Sequence, residues 1–404
     1  MSRLVNERKR LTHLFYQRQP LSLVHSVTRS LFNFARMKIT RITLYQYNIP
    51  LKAPIAISLG IIDAARNLLV QIDTDEGLTG WGEGSPFWMI VGETQASGWA
   101  AAEDLSRLLV GRDPLDIEGC LQAMLRYLPG HPTTRSAFDM ALYDLAAKRA
   151  NMPLYQFLGG SNRPLVTDET IYINDPDRMA DDARRIAANG AEAIKIKVGT
   201  TAQADLDRLA AIRQVIPYEL PIRLDANQGW DVPTARTVLT AVGDWNVQYC
   251  EQPLRRTDIA GLRHLRQRVN VPIMADEAVF DATDALRLVR EEAVDYLNIK
   301  LSKSGGIWEA LKINAIAEAA GMACMIGCMS ESRLALSAKA HVAAARQNIR
   351  FCDLDACFEH AEDPVQGGIV YNGYQITIPD EPGIGADVDP AFLARCLKSE
   401  IAKV

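Results

Sequence analysis

From residue 169 onward the chain repeats one pattern eight times: a short β-rich run, then a helical stretch. The runs are ETIYIN (169–174), AIKIKV (193–198), PIRLDAN (221–227), VQYCEQP (247–253), PIMADE (272–277), YLNIKL (296–301), CMIGCM (324–329) and RFCDLDA (350–356). Matching positions at 197, 225, 251, 276 and 300 stand about 25 residues apart, the length of one strand plus one helix. Eight such units predict an α/β fold, a (β/α) TIM-type barrel over 161–365 with its helices outside. The rival, a doubly wound sheet, would be favoured by a phosphate-binding GxGxxG after the first strand, and the chain has none there.

The remaining sequence supplies a second layer. From Lys38 to Asp73 apolar positions alternate as in antiparallel strands, and DTDEGLTGWGEG (73–84) reads as turn. Helical spacing of three and four follows in 96–110 and 134–150, so 37–160 is predicted to be α+β. At 404 residues and 48% hydrophobic content, the chain can bury both cores. Residues 1–36 differ, with seven Arg or Lys and one Glu. They read as a disordered basic extension, with the ordered protein beginning near Met37. A net charge of −5 points to no nucleic-acid partner, and no apolar run reaches the roughly 18 residues of a membrane span. The seven cysteines (120, 250, 324, 328, 352, 357, 396) lack zinc spacing and read as thiols of a reducing, cytoplasmic protein.

Most of the eight runs end in an ionisable residue: Lys195 and Lys197, Asp225, Glu251, Asp276, Lys300, then Asp353 and Asp355. Any single acid after a strand is usually a helix cap. A series of them at successive strand ends is not, and caps do not call for lysine. Carboxyl ends of barrel strands converge on one face. Asp225, Glu251 and Asp276 would repel one another there, and a hard divalent cation, Mg²⁺, removes that conflict. Lys195 and Lys197, at i and i+2, face the same side, where each cation favours the neutral form of the other. Lys300 lies four strands on and faces Lys197 across the mouth. Two such bases flanking a carbon next to a metal-held carboxylate can move a proton from one face to the other through an enediolate.

The ordered series KIKVG, LDANQGW, EQPL, MADE, NIKLSKSGGI, GCMSES and DLD resembles the enolase superfamily, specifically the dipeptide epimerases of its muconate-lactonising subgroup, the L-Ala-D/L-Glu epimerase type. The resemblance runs from Met37 nearly to the C-terminus. It implies one Mg²⁺ per subunit on Asp225, Glu251 and Asp276, acid/base roles for Lys197 and Lys300, and a tuning role for Lys195. It also implies a capping domain built from 37–160 together with 366–404. In the resembling epimerases the DLD carboxylates, here Asp353 and Asp355, hold the ammonium of a dipeptide. The expected partners are therefore a dipeptide and further copies of the chain in a homo-oligomer.

One departure concerns the loop 53–66. Where the Ala-Glu enzymes carry an arginine for the glutamyl side chain, this chain has Gly60, followed by Ile61 and Ile62. An apolar C-terminal residue matches Ile61 and Ile62 better, with Gly60 and Ile61 at the substrate, while Asp63 leaves a cationic one as the second choice. The alternatives are succinylbenzoate synthesis, N-acylamino-acid racemisation or muconate cycloisomerisation, which DLD disfavours. A catalytically silent dipeptide-binding protein is disfavoured because every lysine and acid is present.

Overall fold

The alternating stretch after Met37 forms a long hairpin, β1 (Ile39–Ile57) against β2 (Gly60–Thr74), paired from Ile39–Thr74 to Ile57–Gly60. Its central inward residues, among them Ile42, Leu44, Val70 and Ile72, are fully buried against helices Gln95–Leu109, Ile117–Tyr127 and Pro132–Arg149. This computed structural model describes residues 36–402, so the expectation for the basic extension lies outside the described residues except at Arg36.

The stretch read as turn contains a strand, β3 (Thr79–Gly84), paired with β2. Its glycines are there for close approach. A Cβ on Gly82 would lie 1.9 Å from the Ala137 carbonyl oxygen, and one on Gly80 2.4 Å from that of Ala141. Helix Pro132–Arg149 thus rests directly on the strand backbone. Gly82→Ala is expected to destabilise the fold by about 3 kcal/mol, the upper end of ordinary overpacking. Chemical denaturation reads this, and an unchanged midpoint would mean that the helix can withdraw.

After β4 (Leu165–Val166), all eight expected runs form strands: β5 (Glu169–Ile171), β6 (Ile194–Lys197), β7 (Ile222–Asp225), β8 (Val247–Glu251), β9 (Ile273–Ala275), β10 (Tyr296–Ile299), β11 (Cys324–Ile326) and β12 (Ile349–Cys352). They hydrogen-bond in chain order, all parallel, and a parallel bridge from Thr167 to Cys352 brings the two edges together. Tyr249, Met274 and Met325 fill the interior beneath the mouth. Caps and strand-end acids are separate residues. Asp231, Asp258 and Asp281 cap outer helices through their side chains, whereas Asp225, Glu251 and Asp276 precede them and cap none.

The C-terminal tail divides between the two layers. β13 (Val365–Gly367) pairs with β16 (Ala386–Val388), and β14 (Val370–Asn372) and β15 (Gln375–Thr377) extend a small sheet from β4. Only β17 (Lys398–Ala402) joins the N-terminal sheet, on β1. All seven cysteines are free, and five of them are buried. Among the described residues no helix is long and apolar enough to cross a membrane.

Candidate active site

Strand register assembles the site. Lys197, Asp225 and Glu251 end β6, β7 and β8 and lie side by side in the sheet. Asp276 follows β9, Lys300 follows β10, and Asp353 and Asp355 follow β12. All of these, with Lys195, are buried.

Each acid of the arc Asp225–Glu251–Asp276 has one oxygen fixed from outside. Asp225 Oδ1 accepts from the Asn227 amide (3.0 Å), Glu251 Oε1 from Asn298 Nδ2 (2.6 Å) and Asp276 Oδ1 from Lys303 Nζ (2.5 Å). The second oxygens turn inward. Glu251 Oε2 and Asp276 Oδ2 face the ammoniums of Lys195 (2.9 Å) and Lys300 (2.8 Å) yet receive no well-directed hydrogen bond. Burial and the neighbouring Asp225 push the Glu251 carboxyl up to about 8. Three buried carboxylates with inward oxygens, one of them so disfavoured as an anion, suit a hard divalent cation such as Mg²⁺.

Lys195 sits among three acids, 2.8 Å from Asp353, 2.9 Å from Glu251 and 3.1 Å from Asp225. Burial opposes its charge, but these carboxylates outweigh burial and hold its pKa well above the ordinary lysine value. Of the two paired lysines, Lys195 is thus the one held charged, because three acids outnumber its cationic neighbour. Burial likewise opposes Lys300, and Asp276 and Glu251 outweigh it, again raising the pKa. Lys197 donates to Asp225 Oδ2 (2.6 Å) and to Asn227 Oδ1 (3.0 Å).

Asp353 and Asp355 both line the cavity, but they differ. Burial opposes the Asp353 anion, while Lys195 and Lys300 outweigh it and hold its pKa below the usual range. Burial and Asp353 push Asp355 well above it. An incoming cation would favour the anionic form of both. Cys328 Sγ and one oxygen from each lie within 4.8 Å of one another, whereas the Asp225–Glu251–Asp276 arc is spread more widely around the lysines. The thiol makes the tighter cluster a poor match for Mg²⁺, which takes oxygen ligands.

The cavity above these residues encloses about 470 Å³ of empty space with its open side included. Its floor is charged and its roof apolar, with Ile55, Ile57, Ile62, Phe87 and Ile90 as walls. The segment 53–66 is thus the tip of the β1–β2 hairpin, not an irregular loop, and strand alternation corrects one assignment. Ile62 faces the cavity, while Ile61 points away and is 69% exposed. Gly60 does not line the cavity either, and its bare Cα makes room for Met89, whose sulfur would lie 3.1 Å from an added Cβ. Arg66 is held in an exposed pair with Asp63 (2.9 Å) outside the cavity. At the tip, Ser58 Oγ lies within hydrogen-bond reach of the carbonyls of Ala226 (2.9 Å) and Asn227 (3.1 Å), fastening the hairpin to the barrel.

Sequence reasoning left several participants unassigned. Asn227, Glu277 and Lys303 all lie inside quoted motifs, LDANQGW, MADE and NIKLSKSGGI. For Asn227 the signal was available, since it stands at i+2 from Asp225. Phe87 and Ile90 carried no such signal, because only the folded helix Trp88–Val91 brings them over the mouth.

A parallel barrel with acids and lysines at one mouth, closed by an N-terminal antiparallel layer, is the architecture of the enolase superfamily. Residues 39–159 match the mandelate racemase / muconate lactonizing enzyme N-terminal domain, and residues 178–392 match the enolase C-terminal domain-like family. The chain is 43% identical to the hydrophobic dipeptide epimerase of Enterococcus faecalis, over 82% of this chain and 94% of that protein. It is 42% identical to the D-Ala-D/L-Ala epimerase of Cytophaga hutchinsonii, over 89% and 98%. The crystal structure of the Cytophaga hutchinsonii dipeptide epimerase, complexed with Mg and D-Ala-L-Val, superposes with a TM-score of 0.89 over 90% of this chain and all of that one. The chain belongs to the mandelate racemase / muconate lactonizing enzyme family of the enolase superfamily.

Proposed function

We propose that this protein is a Mg²⁺-dependent dipeptide epimerase that inverts the α-carbon of a C-terminal apolar residue by two-base 1,1-proton transfer. The observation that carries the reading is the single cavity into which Lys197, Lys300, Asp353 and Asp355 all open beneath an apolar roof. Similarity to epimerases named for hydrophobic dipeptides and for alanyl dipeptides supports it. In this reading residues 37–160, joined by β17 from the tail 366–404, serve as the closing layer over the barrel.

Asp225, Glu251 and Asp276 would hold Mg²⁺ through their inward oxygens. When bound, the ion supplies positive charge to the carboxylate next to the reacting carbon and offsets the acids that raise Lys300. The chain's own residues do the rest. Asp353 and Asp355 take the substrate ammonium, which stabilises both as anions. Lys197 and Lys300 stand on β6 and after β10, four strands apart, and reach the α-carbon from opposite sides. One removes the proton while the other returns one. Lys195, tied to Asp353, Glu251 and Asp225, stays charged and links the ammonium clamp to the metal acids. Ile55, Ile57, Ile62 and Phe87 exclude water and accept the C-terminal side chain.

The test is α-proton exchange and kcat/KM over dipeptides varying only in the C-terminal residue. Apolar residues are expected at the top, with Ala-Glu lower because no cation lies at the roof among the described residues. N-acetylated dipeptides are expected to be poor, since losing one partner of a desolvated charge pair costs about 2–5 kcal/mol. A panel led by Ala-Glu would overturn the assignment of the roof. Preference for N-acetyl compounds would overturn the role of Asp353 and Asp355.

A further inference from the structure

Glu277 is 1% exposed, and its carboxylate has a single hydrogen-bond partner among the described residues. Its Oε1 accepts from Asn227 Nδ2 at 3.2 Å, while Oε2 is buried with none. An acid so poorly repaid is costly to bury, and stability does not account for it. Its one partner leads to the chemistry. Asn227 Oδ1 accepts from Lys197 Nζ at 3.0 Å. With Lys197 donating to its oxygen and its own NH₂ donating to Glu277, the Asn227 amide has one orientation that serves both neighbours. The Asn227 backbone is itself fixed, in the left-handed region (φ 41°) that asparagine tolerates, with its N–H on Asp225 Oδ1.

We infer that Glu277 is a positioning residue that acts through Asn227 on Lys197. It holds the asparagine with its oxygen toward the lysine, and so holds the Lys197 nitrogen at the cavity. A glutamine at 277 can present either an acceptor or a donor. The Asn227 amide can then turn, and its NH₂ would oppose the Lys197 nitrogen. Lys300, whose ion-pair partner is Asp276 at 2.8 Å, forms no hydrogen bond or ion pair with Asn227 or Glu277 among the described residues, and only its charge reaches Glu277. The effect should therefore fall on one face of the substrate. This inference rests on the two-base reading above.

The experiment compares Glu277→Gln with the wild-type enzyme, saturated with Mg²⁺, by NMR. It follows wash-in of solvent deuterium at the α-carbon, starting separately from each epimer of one apolar dipeptide. Lys197→Ala identifies the epimer that Lys197 serves. For that epimer, exchange in Glu277→Gln is expected to fall about tenfold or more, within the range a misplaced general base costs. Exchange from the other epimer is expected to stay within about twofold. Asn227→Asp, which sets two carboxylates against each other, is expected to show the same asymmetry and serves if Glu277→Gln does not fold. Equal loss from both epimers, or no loss from either, would overturn the relay. Failure of the wild-type enzyme to exchange both epimers would instead overturn the two-base reading on which it stands.

Discussion

Lys197→Ala and Lys300→Ala are each expected to lower epimerisation by about a thousandfold or more, the cost of losing a positioned acid/base group. Each should nevertheless retain deuterium exchange from one epimer, and the two variants should retain opposite ones. The asymmetry follows from where the lysines stand. They are four strands apart in a sheet of eight, and each is tied to a different end of the acid arc, Lys197 to Asp225 at 2.6 Å and Lys300 to Asp276 at 2.8 Å. Inversion needs a proton taken from one face and returned to the other. A lone lysine can take and return a proton only on its own face, which is exchange without inversion. Mg²⁺ affinity measured on each variant separates loss of the base from damage to the acids. Loss of exchange from both epimers with Mg²⁺ binding intact would refute the division of labour, as would near wild-type epimerisation by either variant.

The barrel and the strand-end acids and lysines were legible because both are periodic. The β5–β12 repeat shows in spacing, and residues at i and i+2 of a strand share a face wherever the strand goes. Two kinds of information were not local. The first is the charge around Lys195: its acid partners come from β7, β8 and the end of β12, so residue order gave its neighbour Lys197 but not the acids that outvote it. The second is the direction of the hairpin tip. A glycine-containing apolar segment reads as a loop, and in a loop Gly60 and Ile61 could both face substrate. As a strand pair, with Ile55 opposite Ile62 and Ala56 opposite Ile61, it presents Ile62 and turns Ile61 outward. The same rule misread β3, where alternate glycines signal helix contact and not turning.

Replacing Glu251 with glutamine is expected to weaken Mg²⁺ binding by about a hundredfold or more, since even a change behind a metal ligand can cost that much. Glu251 has one oxygen taken and one left inward. Asn298 Nδ2 occupies its Oε1 at 2.6 Å, so only Oε2 turns inward, 2.9 Å from Lys195. A glutamine keeps an acceptor for only one of these neighbours. With its oxygen on Asn298 it aims an NH₂ at Lys195 and at any cation; turned round, it sets that NH₂ against Asn298. Either arrangement places donor against donor around a fully buried carboxyl. Calorimetric titration of Mg²⁺ into chelator-treated protein without substrate reads the affinity directly, and circular dichroism checks the fold. Chelation of the wild-type enzyme should abolish turnover, with recovery on adding Mg²⁺. An unchanged affinity in Glu251→Gln would move the cation off this arc, and full turnover after chelation would remove it from the reaction.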